Sequence, residues 1–361
     1  MTGGSGSVEV VSGSGARSWR RAVAGPVRRG LRAGARRSAA FRRLLEVSAR
    51  ELEVALRDDL YEHEYFGGVA HQPADMIGTD RFTRESSHAN EGAYLVWRWL
   101  PARRVLDVGC AFGFLVEALR ELGIDAEGVD VSKFALDHAA AGARGHVRYG
   151  NLLHGLPFPD RAFDVVCAFE TLEHLPPPAV PGAVAELARC TSGYVVATIP
   201  SFGTNRNGPG GWFEVKVRPE RLEHYKALGD GYDGPVPHED LYRDEKGEPV
   251  EGHLTIASFN WWTARFADAG LVRCDAVERA VHPHLARFGL TKYWNLYVLR
   301  HPGVPEPVDF RRDPAEVAAL ERRWSLGTRP VDPEDVERVV AVLGEHAFDG
   351  IDLVLPAGET V

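Results

Sequence analysis

Residues 105–114 read VLDVGCAFGF, an apolar segment that runs directly into a turn bounded by two glycines. The pattern predicts a buried strand, a short turn and then a helix. Gly109 and Gly113 keep side chains out of the turn, so its backbone can approach a ligand closely. Asp107 precedes the turn by two residues, where its carboxylate could face a cationic group. The sequence therefore predicts either a ligand-binding turn or an ordinary tight connection between a strand and a helix.

Two further features narrow the choice of ligand. A dinucleotide site has the pattern G-x-G-x-x-G, which places a diphosphate at the start of the helix. Here the third glycine is missing, and Phe112 and Phe114 would crowd a diphosphate. The next predicted strand ends in GVDVS, whose Asp130 follows Asp107 by 23 residues and is suited to bind ribose hydroxyls. The pattern indicates a ligand with a ribose and an ammonium group but no phosphate, and S-adenosylmethionine fits that description.

Residues 103–200 resemble the class I S-adenosylmethionine-dependent methyltransferases. VLDVGCAFG is similar to the first motif of that family, GVDVS to the second, and GNLLHGLPFPDRAFDVVCAFETLEHL to the stretch through the fourth strand. With the last strands included, the resemblance extends to about residue 300. It implies S-adenosylmethionine as the cofactor and a binding set at the strand ends: Asp107, Gly109, Cys110, Ala111, Gly113, Asp130, Val131, Asn151, Leu152 and Phe169.

One position departs from the pattern that the resemblance implies. The family often has an aspartate after the third strand, where its carboxylate accepts a hydrogen bond from the adenine amino group. This chain has Asn151 there, followed by Leu152. An amide oxygen can accept the same hydrogen bond. Alternatively, Asn151 only caps a turn.

The region from residue 103 to residue 301 alternates strand-like and helix-like segments, which predicts a parallel sheet with helices on both faces. We expect an α/β fold class: Rossmann-like, doubly wound, seven-stranded and mostly parallel, with an antiparallel last strand. The strand candidates are RRVLDVG, AEGVDVS, HVRYG, FDVVCAFE, GYVVATIP, LVRCDAVERAV and YWNLYVLR. The helix candidates are Phe114–Leu122, Lys133–Ala141, Ala179–Cys190 and Asn260–Ala269. Only HPHLARFGLTK separates the last two strands, which predicts an antiparallel hairpin at the end of the sheet.

Composition and periodicity divide the chain into four parts. These are a flexible basic leader (1–37), an N-terminal helix (38–68), a methyltransferase domain (69–301) that carries a lid insert (201–258), and a helical tail (302–361). The tail could pack on the core or form a small appendage. Residues 1–50 contain eleven arginines and two acids, and a patch for anionic lipid or RNA and a transit peptide are alternative interpretations of the leader.

Charge and cysteine usage narrow the partners and the compartment. The whole chain has a net charge of −9, and residues 1–50 carry +9, so the remaining residues together carry −18. This acidic charge argues against nucleic acid as a partner of the core. Four scattered cysteines without a CxxC pair indicate reduced thiols and a cytoplasmic location. The sequence contains no uncharged apolar stretch of about 18 residues, so it predicts no membrane span. The sequence leaves the oligomeric state open.

The segment that follows the predicted fourth strand, ETLEHL, carries the candidate catalytic residues Glu173 and His174. It should lie next to the transferred methyl group. His174 is the candidate general base, since the ordinary pKa of histidine lies near neutrality. In some sugar O-methyltransferases of this fold, a histidine at the matching position acts as the general base, so the resemblance implies the same role here. Alternatively, the Leu-Glu-His-Leu run is only a structural turn of the family.

A metal site is a second interpretation of the same segment. Glu170, Glu173 and His174 would share one face if the segment were helical. The resemblance extends to the small-RNA 3′-end 2′-O-methyltransferases, in which a similar Glu-x-x-Glu-His group and a downstream histidine hold a divalent ion. His253 could supply that histidine here, with His238 as the second choice. These ligands suit Mg²⁺ or another divalent ion.

The composition of the insert suggests the acceptor. Aromatic and polar side chains could stack on and hydrogen-bond a sugar or polyphenol, or could instead pack on the core; they are Trp212, Phe213, His224, Tyr225, Tyr232, His238 and Tyr242. We therefore expect O-methylation of a small-molecule acceptor such as a sugar or glycosylated metabolite, in natural-product (for example antibiotic) or envelope glycan biosynthesis. The alternatives are a metal-dependent RNA 2′-O-methyltransferase and a catalytically inactive binding module for S-adenosylmethionine.

Overall fold

A computed structural model describes residues 82–210, 216–228, 231–243, 247 and 249–356. The predicted leader and N-terminal helix, together with Trp212 and Phe213 of the insert, lie outside the described residues. Within the described residues, no helix has the length and apolar character needed to cross a membrane.

A seven-stranded sheet forms the centre of the molecule, in the order β3-β2-β1-β4-β5-β9-β8. Its strands are β1 (Arg104–Val108), β2 (Asp125–Asp130), β3 (Val147–Tyr149), β4 (Phe163–Phe169), β5 (Thr191–Thr198), β8 (Val272–Arg273) and β9 (Leu296–Arg300). The pairings among β1 to β5 are parallel, whereas β9 runs antiparallel to both β5 and β8. This arrangement confirms the predicted Rossmann-like sheet with an antiparallel last strand.

Nine α-helices accompany the sheet within the described residues. They are α1 (Ala89–Trp99), α2 (Phe114–Glu121), α3 (Lys133–Asp137), α4 (Val180–Cys190), α5 (Pro219–Leu228), α6 (Phe259–Asp268), α7 (Asp275–Arg287), α8 (Pro314–Arg323) and α9 (Pro333–Leu343). Helix α3 ends four residues earlier than its sequence pattern suggests. The Ala140 N–H donates to the carbonyl oxygen of Phe112 at 2.8 Å, which draws the chain towards the turn after β1.

Alternate residues of the central strands enter two separate hydrophobic cores. Val105 and Cys167 face a core that includes α1, α2 and α7, whereas Leu106 and Val166 face a core that includes α4 and α6. All four of these side chains are buried. A parallel sheet with both faces covered has near-continuous apolar strands of this kind, which explains why β1 and β4 could be recognised in the sequence.

The predicted strand LVRCDAVERAV is wrong over most of its length. Only Val272–Arg273 forms a strand, and the chain then enters helix α7. Val277, Val281 and Leu285 recur every four residues and are all buried in one core, so the segment has the helical period. β8 and β9 are therefore antiparallel neighbours connected by a helix, and the predicted short hairpin is not formed.

The helical tail packs on the core that contains α1 and α7. Leu320 of α8 and Val339 of α9 are buried in that core. Arg287 Nη1 donates to Glu321 Oε2 at 2.9 Å, and the Tyr94 hydroxyl donates to the other oxygen of the same carboxylate. Of the two arrangements considered for the tail, packing on the core is the one observed.

The insert has a small core of its own. Its two ends meet as β6 (Ser201–Phe202) and β7 (Ala257–Ser258), which pair in parallel. Tyr225 is buried in that small core and donates its hydroxyl hydrogen to Asp240 Oδ2 at 2.7 Å. The Tyr232 hydroxyl donates to the Pro235 carbonyl oxygen at 2.6 Å. These two aromatic side chains thus pack inside the insert, as the second interpretation of its composition suggested.

A buried ion pair connects the edge of the sheet to the insert. The Arg273 side chain is 4% exposed and that of Glu278 is fully buried, and Arg273 Nε donates to Glu278 Oε2 at 3.0 Å. The same carboxylate accepts from Val298 N–H in β9 at 2.8 Å and from Asn207 Nδ2 at 2.6 Å. Arg273 Nη2 also donates to Asn205 Oδ1 at 2.8 Å. One pair therefore holds β8, α7, β9 and the loop after β6 together.

Replacing Arg273 should destabilise the fold strongly. In Arg273→Met the buried Glu278 carboxylate loses its counter-charge, which should lower the free energy of unfolding by about 3–5 kcal/mol. Arg265→Met is the matched control, because the Arg265–Asp268 pair is partly exposed and should contribute less than about 1 kcal/mol. Urea unfolding measures the free energy of unfolding of both variants. An equal decrease in the two would contradict a stabilising role for the buried pair.

Candidate active site

The turn after β1 has an unusual backbone. Gly109, Ala111 and Gly113 all have positive φ angles, of 77°, 45° and 72°. The N–H groups of Gly109 and Cys110 donate to the carbonyl oxygen of Val129 at 2.9 and 3.1 Å, which fixes the turn against the end of β2. A Cβ atom at position 109 would lie 2.8 Å from Thr171 Cγ2, so glycine is required there for space as well as for its backbone angles.

Asp130 is held by the same turn. Its Oδ2 accepts from the Ala111 N–H at 2.8 Å, and its Oδ1 accepts from the Ser132 N–H at 2.8 Å. The side chain is mostly buried at the tip of β2. The carboxylate is thus oriented by backbone donors before any ligand binds, at the strand end where the sequence predicts the ribose. Val131 follows it directly.

Asp107 is buried in β1 below the turn. Burial and the neighbouring charge of Asp130 raise its pKa to about 8. A cation that bound next to it would stabilise the charged carboxylate and lower that pKa. The group therefore fits the predicted contact with the ammonium of a donor.

The remaining predicted donor residues lie at neighbouring strand ends. Asn151 Oδ1 accepts from the Leu153 N–H at 2.9 Å, so the turn-capping role is observed, and the adenine contact stays a prediction. Leu152 is buried beside it. Phe169 ends β4, and a Cβ atom at Gly92 of α1 would lie 3.1 Å from its ring, so α1 packs closely over this strand end.

The structure brings together three of the four candidate metal ligands. Glu173, His174 and His253, here called the carboxylate–histidine cluster, place one ligand atom each within 4.8 Å of one another. Glu173 is 0% exposed, and neither carboxylate oxygen has a hydrogen-bond partner among the described residues. His253 is 5% exposed, and its Nε2 lies 3.9 Å from Glu173 Oε1. Burying a carboxylate without hydrogen bonds costs folding free energy. Such unpaired groups are found at ion-binding and catalytic sites.

Backbone hydrogen bonds between the insert and the segment after β4 create this proximity. The N–H groups of Leu254 and Thr255 both donate to the Glu173 carbonyl oxygen, at 2.8 and 2.9 Å. The Thr255 hydroxyl donates to the Leu175 carbonyl oxygen at 2.6 Å. The His174 Nδ1 lies 3.2 Å from the Gly252 carbonyl oxygen. His253 is therefore carried to Glu173 by the end of the insert.

The predicted helical face of the metal ligands is wrong. Glu170 has a φ angle of 49°, and only residues Leu172–His174 form a single 3₁₀ turn. Thr171 Oγ1 lies 3.0 Å from the carbonyl oxygens of both Val108 and Phe169, which holds the chain in a bend. Glu170 lies near enough to raise the pKa of Glu173 by its charge but is not a member of the cluster. His238 pairs with Arg243 inside the insert and is not a member either.

Burial sets the protonation of the cluster. It raises the pKa of Glu173 well above its ordinary value, with a further contribution from Glu170. It lowers the pKa of His174 to about 4 and that of His253 well below 6.5. Both imidazoles are thus neutral at pH 7. Because a carbonyl oxygen only accepts, the contact with Gly252 requires the proton on His174 Nδ1, and Nε2 carries the lone pair.

Two charged residues at the cluster were not recognised in the sequence. Lys216 pairs with Glu251, and Glu251 Oε2 lies 3.5 Å from His253 Nε2. Glu251 stands two positions before His253, so its proximity could have been inferred. Lys216 is 35 positions from Glu251, and no local pattern marks that long-range contact.

Comparison with known proteins identifies the family. A family model described as a methyltransferase domain matches residues 105–192. The ubiquinone biosynthesis O-methyltransferase of Burkholderia pseudomallei is 30% identical over 254 residues, which cover 64% of this chain and 92% of that protein. The enzyme of the same name from Methylococcus capsulatus is 34% identical over 36% of this chain and 56% of its own length. This chain belongs to the class I S-adenosylmethionine-dependent methyltransferases.

The chain spans about half the length, or less, of the first curated relatives it matches, with 44%, 56% and 34% of those proteins covered. Among solved structures, magnesium protoporphyrin IX methyltransferase from Synechocystis with bound SAH is similar with a TM-score of 0.36 and 13% identity, over 63% of this chain and 91% of that one. The PH0226 protein from Pyrococcus horikoshii has a TM-score of 0.37 and 16% identity, over 53% and 82% of the two chains.

The turn after β1 can be tested with two glycines that share a φ angle of 77°. Gly109→Ala places a methyl group against Thr171, whereas the same change at Gly123 meets nothing within 4 Å. Both variants incur about 1–2 kcal/mol for a left-handed alanine. We expect only Gly109→Ala to weaken binding of S-adenosylmethionine, by about tenfold or more, which corresponds to about 1.4 kcal/mol. Calorimetric titration measures this, and equal donor affinities in the two variants would show that the turn does not contact the donor.

Proposed function

We propose that this protein transfers a methyl group from S-adenosylmethionine to a hydroxyl oxygen of a small-molecule acceptor. The observation that carries the proposal is the carboxylate–histidine cluster, which follows β4 directly and adjoins the turn after β1 through Thr171. O-methylation is supported by the names of the relatives, which are O-methyltransferases of ubiquinone biosynthesis. A cytoplasmic location also stays our proposal, supported by four buried free thiols.

The donor site fits S-adenosylmethionine on the residues present. Asp130 is oriented by the turn for the ribose, Asp107 offers a buried carboxylate to the ammonium, and Gly109 leaves the backbone open. When bound, S-adenosylmethionine supplies a methyl group on a sulfonium sulfur, which is already activated for displacement. The protein must therefore align the acceptor oxygen with that methyl group and accept the acceptor's proton.

His174 is the residue we assign to proton removal. Its imidazole is neutral, and burial lowers its pKa to about 4, which makes it a weaker base than a free imidazole. Nε2 carries the lone pair because Nδ1 is protonated towards Gly252. The proton of the acceptor hydroxyl passes to Nε2 as the oxygen becomes bonded to the methyl carbon. Glu173 is the adjacent carboxyl group, and the imidazolium that forms would favour its ionised form and be stabilised by it.

A divalent cation is the second way in which the same cluster could act. The donor set fits one, because Glu173 is a buried carboxylate with no hydrogen-bond partner among the described residues and both histidines are neutral. Glu173, His174 and His253 would hold the ion. It would supply a positive charge that lowers the pKa of an acceptor hydroxyl. Two histidines and a carboxylate suit Mn²⁺, Co²⁺ or Zn²⁺ as well as Mg²⁺.

The class of acceptor is a finer proposal. The sequence suggests a sugar or glycosylated metabolite of natural-product or envelope glycan biosynthesis, and the relatives' names suggest an intermediate of quinone biosynthesis. The insert's Tyr225 is buried in its core, so it does not supply a stacking surface for either class, and Tyr232 is half-buried against the same core. The cluster gives no reason to prefer RNA, and the acidic charge of the chain disfavours it.

Loss of the Asp130 carboxylate should weaken donor binding. Asp130→Ala removes the acceptor for ribose hydroxyls and also leaves two backbone N–H groups without a partner, so we expect a loss of about 1–3 kcal/mol in affinity. Calorimetry with S-adenosylmethionine measures it. Asp137→Ala, on the exposed end of α3, is the control and should bind as the wild type does. Wild-type affinity in Asp130→Ala would remove this residue from the donor site.

Turnover should depend on His174. The substrate can be found by incubating the protein with labelled donor and host extract fractions, followed by mass spectrometry of the product. His174→Ala should lower turnover about 10²–10⁴-fold while donor affinity stays unchanged, because a general base contributes about that factor. His346→Ala is the control, since that side chain is 89% exposed.

Two further measurements separate the base from the cation. If His174 acts alone, EDTA leaves turnover intact and His253→Ala retains most activity. If the cluster holds a cation, EDTA abolishes turnover and His253→Ala is as inactive as His174→Ala. Full activity of His174→Ala would contradict both versions of the mechanism.

A further inference from the structure

Two charged side chains of the insert reach the carboxylate–histidine cluster and have no part in the mechanism described above. Lys216 and Glu251 form an ion pair whose side chains are 12% and 24% exposed. Glu251 Oε2 lies 3.5 Å from His253 Nε2, and the same nitrogen lies 3.9 Å from Glu173 Oε1. The same nitrogen of His253 therefore approaches two carboxyl groups, that of Glu173 in the turn after β4 and that of Glu251 in the insert.

The backbone of the insert fixes this arrangement. The Tyr242 N–H donates to the Lys216 carbonyl oxygen at 2.9 Å, and the Val250 N–H donates to the Tyr242 carbonyl oxygen at 3.0 Å. Residue 242 thus lies between the two segments and sets Lys216 opposite Glu251. Glu251 has a φ angle of 57°, which is unfavourable for a residue with a side chain. The insert accepts this strain at the position where Glu251 faces the cluster.

The charges around the cluster do not balance. Among the described residues, Glu173 and Glu251 place carboxylate oxygens 3.9 and 3.5 Å from His253 Nε2. Lys216 is the cation at this position, and its ion-pair partner is Glu251. Glu173 stays buried with no hydrogen-bond partner among the residues that the structure describes. Lys216 can balance only one of the two carboxylates, so the site attracts a second cation.

We propose that Glu251 is a further cation ligand of the cluster and that Lys216 is its internal counter-ion, so that the Lys216–Glu251 pair sets the affinity of the cluster for a divalent cation. This inference rests on the version of the proposed function in which the cluster holds a cation. Without the cation, Lys216 neutralises Glu251 and keeps it beside His253. When the cation binds, the Glu251 carboxylate exchanges the ammonium group for the metal, and the displaced positive charge opposes binding.

Opposite changes in affinity are expected from the two halves of the pair. Lys216→Met keeps the length of the side chain and removes its charge, so cation affinity should rise about fivefold or more. Glu251→Gln removes a ligand charge and should lower the affinity by a similar factor. Lys226→Met is the matched control, because Lys226 lies on α5 of the same insert and forms a surface pair with the exposed Glu223 at 3.5 Å. Its affinity should equal that of the wild type.

The measurement uses the full chain and does not depend on turnover. Titration with Mn²⁺, with the free ion counted by electron paramagnetic resonance, gives the affinity. Titration with Co²⁺ gives an absorption spectrum that reports histidine and carboxylate ligation. Thermal unfolding of each variant shows that it is folded, and Lys216→Gln serves as a second neutral variant.

Three results would overturn the inference: no binding of Mn²⁺ or Co²⁺ by wild type and Lys216→Met, weaker binding in Lys216→Met, or unchanged binding in both Lys216→Met and Glu251→Gln. Donor affinity and methyl transfer are measured on the same preparations. A protein that transfers methyl groups but binds no cation contradicts this inference and leaves the proposed O-methylation intact. A protein that does not bind the donor contradicts the proposed function itself.

Discussion

The candidate active site depends on the position of one residue, Glu173, whose backbone carbonyl is fully hydrogen-bonded while its side chain is not. Its carbonyl oxygen accepts two N–H groups from the insert, at 2.8 and 2.9 Å. Its carboxylate is buried and has no hydrogen-bond partner among the described residues. The backbone bonds hold the insert against the sheet, so they also force the carboxylate into a place where water cannot solvate it. Histidines, lysine and further carboxylates gather around that unsolvated group.

The turn after β1 differs from Glu173 in this respect, because its strained backbone is held by hydrogen bonds. The left-handed Ala111 donates its N–H to Asp130, and the turn as a whole is fixed to Val129. The two sites thus differ in kind although they share Thr171. The turn after β1 is fixed by its own hydrogen bonds, whereas the Glu173 carboxyl group has a proton or a cation as its only means of charge balance among the described residues.

Much of the fold could be predicted from the sequence because its signals are local, and the same signals mark the candidate donor site. The run VLDVG has the composition of a strand buried on both faces, and a glycine turn after it is recognisable without knowledge of the rest of the chain. The segment after Val272 was misread, because VRC and AVERAV suit a strand over a few residues, and only the longer spacing of Val277, Val281 and Leu285 shows a helix. His253 could be proposed as a ligand from its residue type. Lys216 could not, because its role arises from backbone pairing around Tyr242 that leaves no periodic pattern.

The insert leaves and rejoins the core at adjacent positions, since β6 and β7 pair at its two ends. The entropy cost of closing a long loop grows only slowly with its length, so adding or removing residues in the insert changes the stability little. The insert also has its own small core around Tyr225 and Ile256. Its outer part is therefore free to vary in length and shape through evolution while the sheet, the donor turn and the His253 anchor stay the same. Such a small unit on a fixed base could be exchanged as a whole without a change in the register of the central sheet.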